Sequence, residues 1–97
     1  MSALEKALEN WAKAEAKKLG IIVLKLALLG GGGFPDHTFI KDGKVGFLEY
    51  KKDEKSRFQP LQQYYLDLLT KQGFRASVAW SNEMVEQFLD ELDKEDA

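Results

Sequence analysis

A chain of 97 residues holds one domain and little room for a second, and a core of that size is modest enough that pairing with a second copy would enlarge it. With 44% hydrophobic and 31% charged residues the composition is that of a globular protein, and the lack of cysteine excludes a disulfide scaffold and a thiolate metal site and fits a reducing setting. The net charge of −2 hides an asymmetry: seven acids and one base lie from Glu83 onward, which leaves nine acids and thirteen bases, a net of +4, in residues 1–82. A mildly basic body suited to nucleic acid thus carries an acidic C-terminal helix and tail over 83–97.

Residues 3–19 predict a helix, with Leu4, Ala7, Leu8, Trp11, Ala12 and Leu19 recurring at three- and four-residue steps, Ser2 as N-cap and Gly20 as the stop. Residues 21–28, rich in branched side chains, predict a strand. The run from Ile21 to Leu29 is broken by Lys25 and too short to span a bilayer, and the opening residues lack a signal-peptide layout, so no membrane partner and a cytoplasmic location are expected. Gly30 to Gly33 form a flexible interruption without the Gly-Lys-Ser/Thr of a phosphate loop. Residues 36–41 and 44–51 predict two strands joined at Asp42-Gly43, a strong hairpin signal. A basic loop over 52–57 leads into a helix over 59–72 with Pro60 in its first turn and an apolar stripe of Leu61, Tyr64, Tyr65, Leu68 and Leu69. A strand over 74–80 and a last helix from Ser81 to about Leu92, with Met84, Val85, Phe88 and Leu92 inward, complete the order αβββαβα in a single α/β domain spanning 1–97.

The hairpin carries the chemistry. If Asp42-Gly43 is its loop, paired residue numbers sum to 85 and Asp36 lies across from Glu49. Carboxylates opposed in this way sit roughly 4.5–5.5 Å apart at Cβ, and they repel unless a proton or a cation lies between them. Lys51 projects from the same face as Glu49, and the apolar Val45 and Phe47 leading into that face predict that Glu49 is at least partly buried. Two acids and a lysine on one face suit phosphodiester hydrolysis. A hard divalent ion prefers carboxylate oxygens, polarises phosphate and lowers the pKa of a bound water, and an ammonium can hold that water or stabilise developing negative charge. The same residues also fit a strand-start cap and an exposed alternating strand edge. His37, the only histidine, alternates to the opposite face from Asp36 and is assigned a structural role.

The series Gly33-Phe34-Pro35-Asp36, Glu49-Tyr50-Lys51, Pro60-Leu61-Gln62 and Gly73 resembles the PD-(D/E)xK nucleases, and more narrowly the VRR-NUC family and its small stand-alone members common in bacteriophages. The likeness runs from the first helix to the last. It implies a restriction-endonuclease-like fold with a mixed central sheet flanked by helices. It also implies that Asp36 and Glu49 are metal-binding acids, that Lys51 is the catalytic lysine, that the backbone carbonyl of Tyr50 is a further metal ligand, and that Gln62 is a helix-borne residue positioning water or substrate. The helix-1 acid of such proteins falls on Glu9, with Glu5 one turn earlier as the alternative. Lys25 falls where a basic residue often contacts phosphate. The four glycines depart from the basic residues often found there, which moves the expected backbone contacts to Lys52, Lys55 and Arg57.

The resemblance thus implies an endonuclease that uses Mg²⁺ or Mn²⁺ and no organic cofactor. Its expected partner is structured or branched DNA, as for a Holliday-junction resolvase in recombination or repair. Its expected setting is the bacterial host cytoplasm if phage-encoded, and a homodimer would place two sites on opposed strands. The alternative is a catalytically weak nucleic-acid-binding or assembly module that retains the fold.

Overall fold

A computed structural model describes residues 2–29 and 31–94; Gly30 of the glycine run and residues 95–97 of the expected acidic tail lie outside the described residues. Seven elements follow in the expected order: α1 (Ala3–Lys18), β1 (Ile22–Leu24), β2 (His37–Lys41), β3 (Lys44–Tyr50), α2 (Pro60–Lys71), β4 (Arg75–Ala79) and α3 (Asn82–Lys94). The four strands form one mixed sheet in the order β1-β2-β3-β4, antiparallel through β3 and parallel between β3 and β4. The parallel step is possible because α2 supplies the crossover between β3 and β4.

α1 begins where its chemistry allows. Ser2 Oγ accepts from the Glu5 N–H, and Glu5 Oε1 accepts from the Ser2 N–H, which satisfies two otherwise orphaned donors. Leu8, Ala12 and Ala16 of α1 then pack with Val85, Phe88, Leu89 and Leu92 of α3 against Phe39, Leu48 and Tyr50 of the sheet. Alternation along β3 sends Phe47, Glu49 and Lys51 to the other face, where Phe47 meets Phe34 and Phe74 edge-on at 5.6 Å and Gln62 of α2 meets Glu49 and Lys51. The sheet is therefore sandwiched between α1/α3 and α2, and the acids lie where its two faces meet at the start of β2 and the end of β3.

The β2–β3 turn has the expected register: Lys41 pairs with Lys44 and His37 with Leu48. Asp42 and Gly43 have φ of 50° and 80°, the two positive values of a type I′ turn, which an aspartate tolerates and a glycine adopts freely.

Two expectations are corrected. The strand expected over 21–28 covers only Ile22–Leu24. Its partner β2 begins at His37, so continuing the register past Leu24↔Thr38 would set Leu26 against Asp36, whose carboxylate is bound to Tyr50 instead. The helix with the expected apolar stripe of Leu61, Tyr64, Tyr65, Leu68 and Leu69 does not turn that stripe as a whole to the core: it buries Leu66, while Leu61, Tyr64 and Leu68 are 48%, 56% and 37% exposed. α2 leans on the sheet through the turn containing Gln62, Tyr65, Leu66 and Leu69, and the rest of its apolar surface faces outward. Among the described residues, no helix is long and apolar enough to cross a membrane.

Candidate active site

One step beyond the last β2–β3 pair sets Asp36 opposite Glu49. The Tyr50 N–H donates to Asp36 Oδ2 at 2.8 Å, which anchors that carboxylate to the end of β3. Glu49 is 4% exposed. Burial, and then the adjacent Asp36 carboxylate, push Glu49 up to about 8, so near neutral pH it carries a proton that it shares with Asp36 through a side-chain hydrogen bond. Burial also raises Asp36, opposed by the hydrogen bond from Tyr50 and the one shared with Glu49. Two acids meeting here, one of them buried, favour sharing a proton, and a cation would satisfy both.

Lys51 stands beside this pair, with Nζ 3.9 Å from Glu49 Oε2. Its ammonium donates to Gln62 Oε1 at 2.8 Å and to the Arg57 carbonyl at 3.3 Å, and it lies 4.8 Å from the centre of the Phe58 ring. Gln62 Oε1 also accepts the Gln59 N–H, and Gln62 Nε2 donates to Glu49 Oε2 at 3.2 Å. One amide therefore caps α2 and links the acid to the lysine. Gly33 permits this arrangement. It has φ of +90°, and a Cβ added there would lie 2.5 Å from Leu61 Cβ, so the chain leading to Asp36 runs directly against the first turn of α2.

Glu9 approaches from α1 and is 2% exposed. Burial opposes its charge, but the hydrogen bond and the positive charge of Lys25, with His37 beside it, hold its carboxyl below the usual range. Its Oε1 lies 3.0 Å from Lys25 Nζ and 3.1 Å from His37 Nε2, and its Oε2 is buried with no hydrogen-bond partner. Glu9 is near enough to Asp36 to raise that group. Glu5, the alternative helix-1 acid, is engaged in capping α1. Lys25, expected as a phosphate contact, is ion-paired to Glu9 through an ammonium whose side chain remains 62% exposed.

The basic loop is split. Lys52 and Lys55 are exposed, and Arg57 is exposed while its carbonyl holds Lys51. His37 is the residue whose contacts the sequence conceals. It is buried between Glu9 and Tyr50, with Nδ1 2.8 Å from the Tyr50 hydroxyl. Burial lowers His37, so its ring is neutral. The available signal was that strand alternation turns His37 toward α1, where Glu9 lies beside the buried positions Leu8 and Ala12.

Among the described residues no three His, Asp or Glu side chains form a ready-made metal cluster. The acids come as a proton-sharing pair with Glu9 beside it. The donor set still fits a hard divalent ion. It consists of oxygens, one of them (Glu9 Oε2) buried without a partner, and the repulsion from Asp36 that helps raise Glu49 is relieved by a cation as well as by a proton.

A solved structure described as a VRR_NUC domain superposes with a TM-score of 0.83 at 29% identity, covering 92% of this chain and 97% of that one. No protein-family model and no curated protein matches the chain. The mixed four-stranded sheet with three helices in the order αβββαβα is the fold of a VRR_NUC domain.

Proposed function

We propose that this VRR_NUC-type domain is a divalent-metal-dependent endonuclease that hydrolyses phosphodiester bonds in structured or branched DNA. The observation that carries the reading is the buried Glu49 carboxyl facing the half-buried Asp36 across the hairpin, with the Lys51 ammonium 3.9 Å from Glu49. Mg²⁺ or Mn²⁺ would be held by Asp36, Glu49, the Tyr50 carbonyl and Glu9, and when bound it would supply charge neutralisation at the phosphate and a more acidic water. Asp36 is kept in place by the Tyr50 N–H, and Glu49 by Gln62. Lys51, fixed by Gln62 and the Arg57 carbonyl, presents a positive charge where negative charge develops on the phosphate. The exposed Lys25, Lys52, Lys55 and Arg57 would contact the backbone of the nucleic acid, Lys25 while remaining paired to Glu9.

The test is a cleavage panel of four-way junctions, flaps, nicked duplexes and linear strands with Mg²⁺ and with Mn²⁺. Cutting of branched substrates in preference to linear duplex supports the reading. Binding of these substrates without cleavage of any of them, DNA or RNA, in either metal contradicts it and leaves a nucleic-acid-binding module.

A resolvase reading also calls for two sites, hence a homodimer. Leu61, Tyr64 and Leu68 on α2, and Ile22, Leu24, Leu26 and Leu28 on and after the edge strand β1, are all at least 36% exposed and supply apolar surface for a second copy. Sedimentation velocity at micromolar concentration checks this; a monomer that cuts four-way junctions symmetrically would contradict it.

A further inference from the structure

His37 has no role in the chemistry proposed above, yet its side chain is 3% exposed and both ring nitrogens have partners. Nε2 lies 3.1 Å from Glu9 Oε1. A carboxylate only accepts, so Nε2 carries the proton and donates it. Nδ1 is then the bare nitrogen, and the Tyr50 hydroxyl, 2.8 Å away, donates to it. The ring is fixed edge-on against Phe39 at 5.8 Å and Tyr50 at 5.3 Å. A buried chain of donors thus runs from Tyr50 through His37 to Glu9.

This chain ends on one oxygen only. Glu9 Oε1 accepts from His37 on the core side and from Lys25 on the solvent side, while Oε2, equally buried, accepts from nothing. A buried carboxylate oxygen without a partner costs free energy unless something else satisfies it. The two donors on Oε1 also oppose rotation of the carboxylate that would exchange its oxygens. Tyr50 joins this arrangement to the other acid, because its hydroxyl orients His37 while its N–H holds Asp36.

We propose that His37 is a positioning residue: together with the Tyr50 hydroxyl it clamps Glu9 through Oε1 and so reserves Oε2 for a divalent cation beside Asp36 and Glu49. This rests on the reading of the acids as a cation site. His37 touches neither substrate nor ion; it acts through Glu9, in the way that groups behind a ligand orient it and tune its affinity.

The experiment is calorimetric titration of the metal-free protein with Mn²⁺ at one pH, for wild type, His37→Leu, His37→Gln and Tyr50→Phe, with thermal melts to establish folding. His37→Leu removes the donor and should weaken Mn²⁺ binding by about 10–100-fold, whereas His37→Gln, whose amide nitrogen can stand in for Nε2, should stay within about threefold of wild type. Tyr50→Phe removes only the hydroxyl and should weaken binding by a smaller factor, about 3–10-fold. A folded His37→Leu protein with wild-type affinity overturns the proposal, as does a folded His37→Gln protein that loses as much as the leucine variant. If the leucine variant does not fold, Tyr50→Phe decides, and wild-type affinity in that variant overturns the proposal. Nitrogen-15 NMR of the imidazole gives a readout without metal: the proton is expected on Nε2, and a proton on Nδ1 contradicts the clamp. A wild-type protein that binds no Mn²⁺ overturns the cation-site reading and this inference with it, whereas a binding wild type with indifferent variants overturns the inference alone.

Discussion

Gln62 Oε1 accepts the Lys51 ammonium at 2.8 Å. It does so from the first turn of α2, so the start of a helix and the position of a charged side chain depend on the same amide. Because that amide also donates to Glu49, a change at Gln62 reaches the acid and the lysine together.

Gln62→Leu should therefore lower single-turnover DNA cleavage by about 10–100-fold, with substrate binding changed little, since groups that orient a site contribute to rate more than to affinity. The loss of the Gln59 N–H acceptor should also weaken the helix start by about 1 kcal/mol. Cleavage rates with DNA binding measured in Ca²⁺, together with a thermal melt, separate the two effects. Unchanged cleavage in a folded Gln62→Leu protein would show that Lys51 does not need this contact.

Stability should depend on pH through Glu49. Its folded-state pKa is raised to about 8 from 4.5, so the stabilisation it contributes is complete below 4.5 and lost as pH rises through about 8. His37 acts in the opposite sense, because its lowered folded-state pKa makes stability rise with pH up to its ordinary value of 6.5. Between about 6.5 and 8 the Glu49 effect stands alone of the two. In chelator, the melting midpoint should fall across that interval, and Glu49→Gln should flatten the fall. Added Mn²⁺ should reverse it, since a cation stabilises the ionised pair. A midpoint that stays level from pH 6.5 to 8.5 in chelator would mean that Glu49 is not held beside Asp36 as described.

Gly33 and Gly31 make a contrast within one loop. Gly33→Ala places a side chain at φ +90° and within 2.5 Å of Leu61 Cβ, and it should cost roughly 2–4 kcal/mol and about 10 °C or more of melting midpoint. A Cβ at Gly31 meets nothing within 4 Å, and Gly31→Ala should change stability by no more than about 0.5 kcal/mol. Calorimetric or dichroic melts of the two variants check this, and equal midpoints would contradict the close approach of this loop to α2.

The features legible in the sequence are those set by local chemistry. Asp42-Gly43 forces a two-residue turn, and that turn alone dictates the β2–β3 register opposing Asp36 and Glu49. Ser2 and Glu5 mark the start of α1, and the apolar Phe47 leading into Glu49 anticipates a buried acid. The features that were not legible depend on distant partners. The apolar run after Ile21 does not reveal that β2 stops at His37 and leaves Lys25 to Leu29 unpaired with it. Periodicity aligns Leu61, Tyr64 and Leu68 but does not say that α2 leans on the sheet through its neighbouring face. The pairing of Lys25 with Glu9, sixteen residues away in sequence, is likewise set by how α1 packs beside the strand. His37 reads as structural in the sequence, and only the packing of α1 on the sheet brings a carboxylate to it.

The central claim is that the Asp36–Glu49 pair is a cation site that drives DNA hydrolysis. Its most direct test is single-turnover cleavage of a four-way junction with Mn²⁺ by the wild type and by Asp36→Asn, which keeps the side chain's size and an oxygen for the Tyr50 N–H but removes the charge. Cleavage by the wild type, abolished by chelator and reduced on the order of 10³-fold or more in a folded Asp36→Asn protein that still binds the junction, is the predicted result. Equal cleavage by both proteins, or cleavage that persists in chelator, would contradict it.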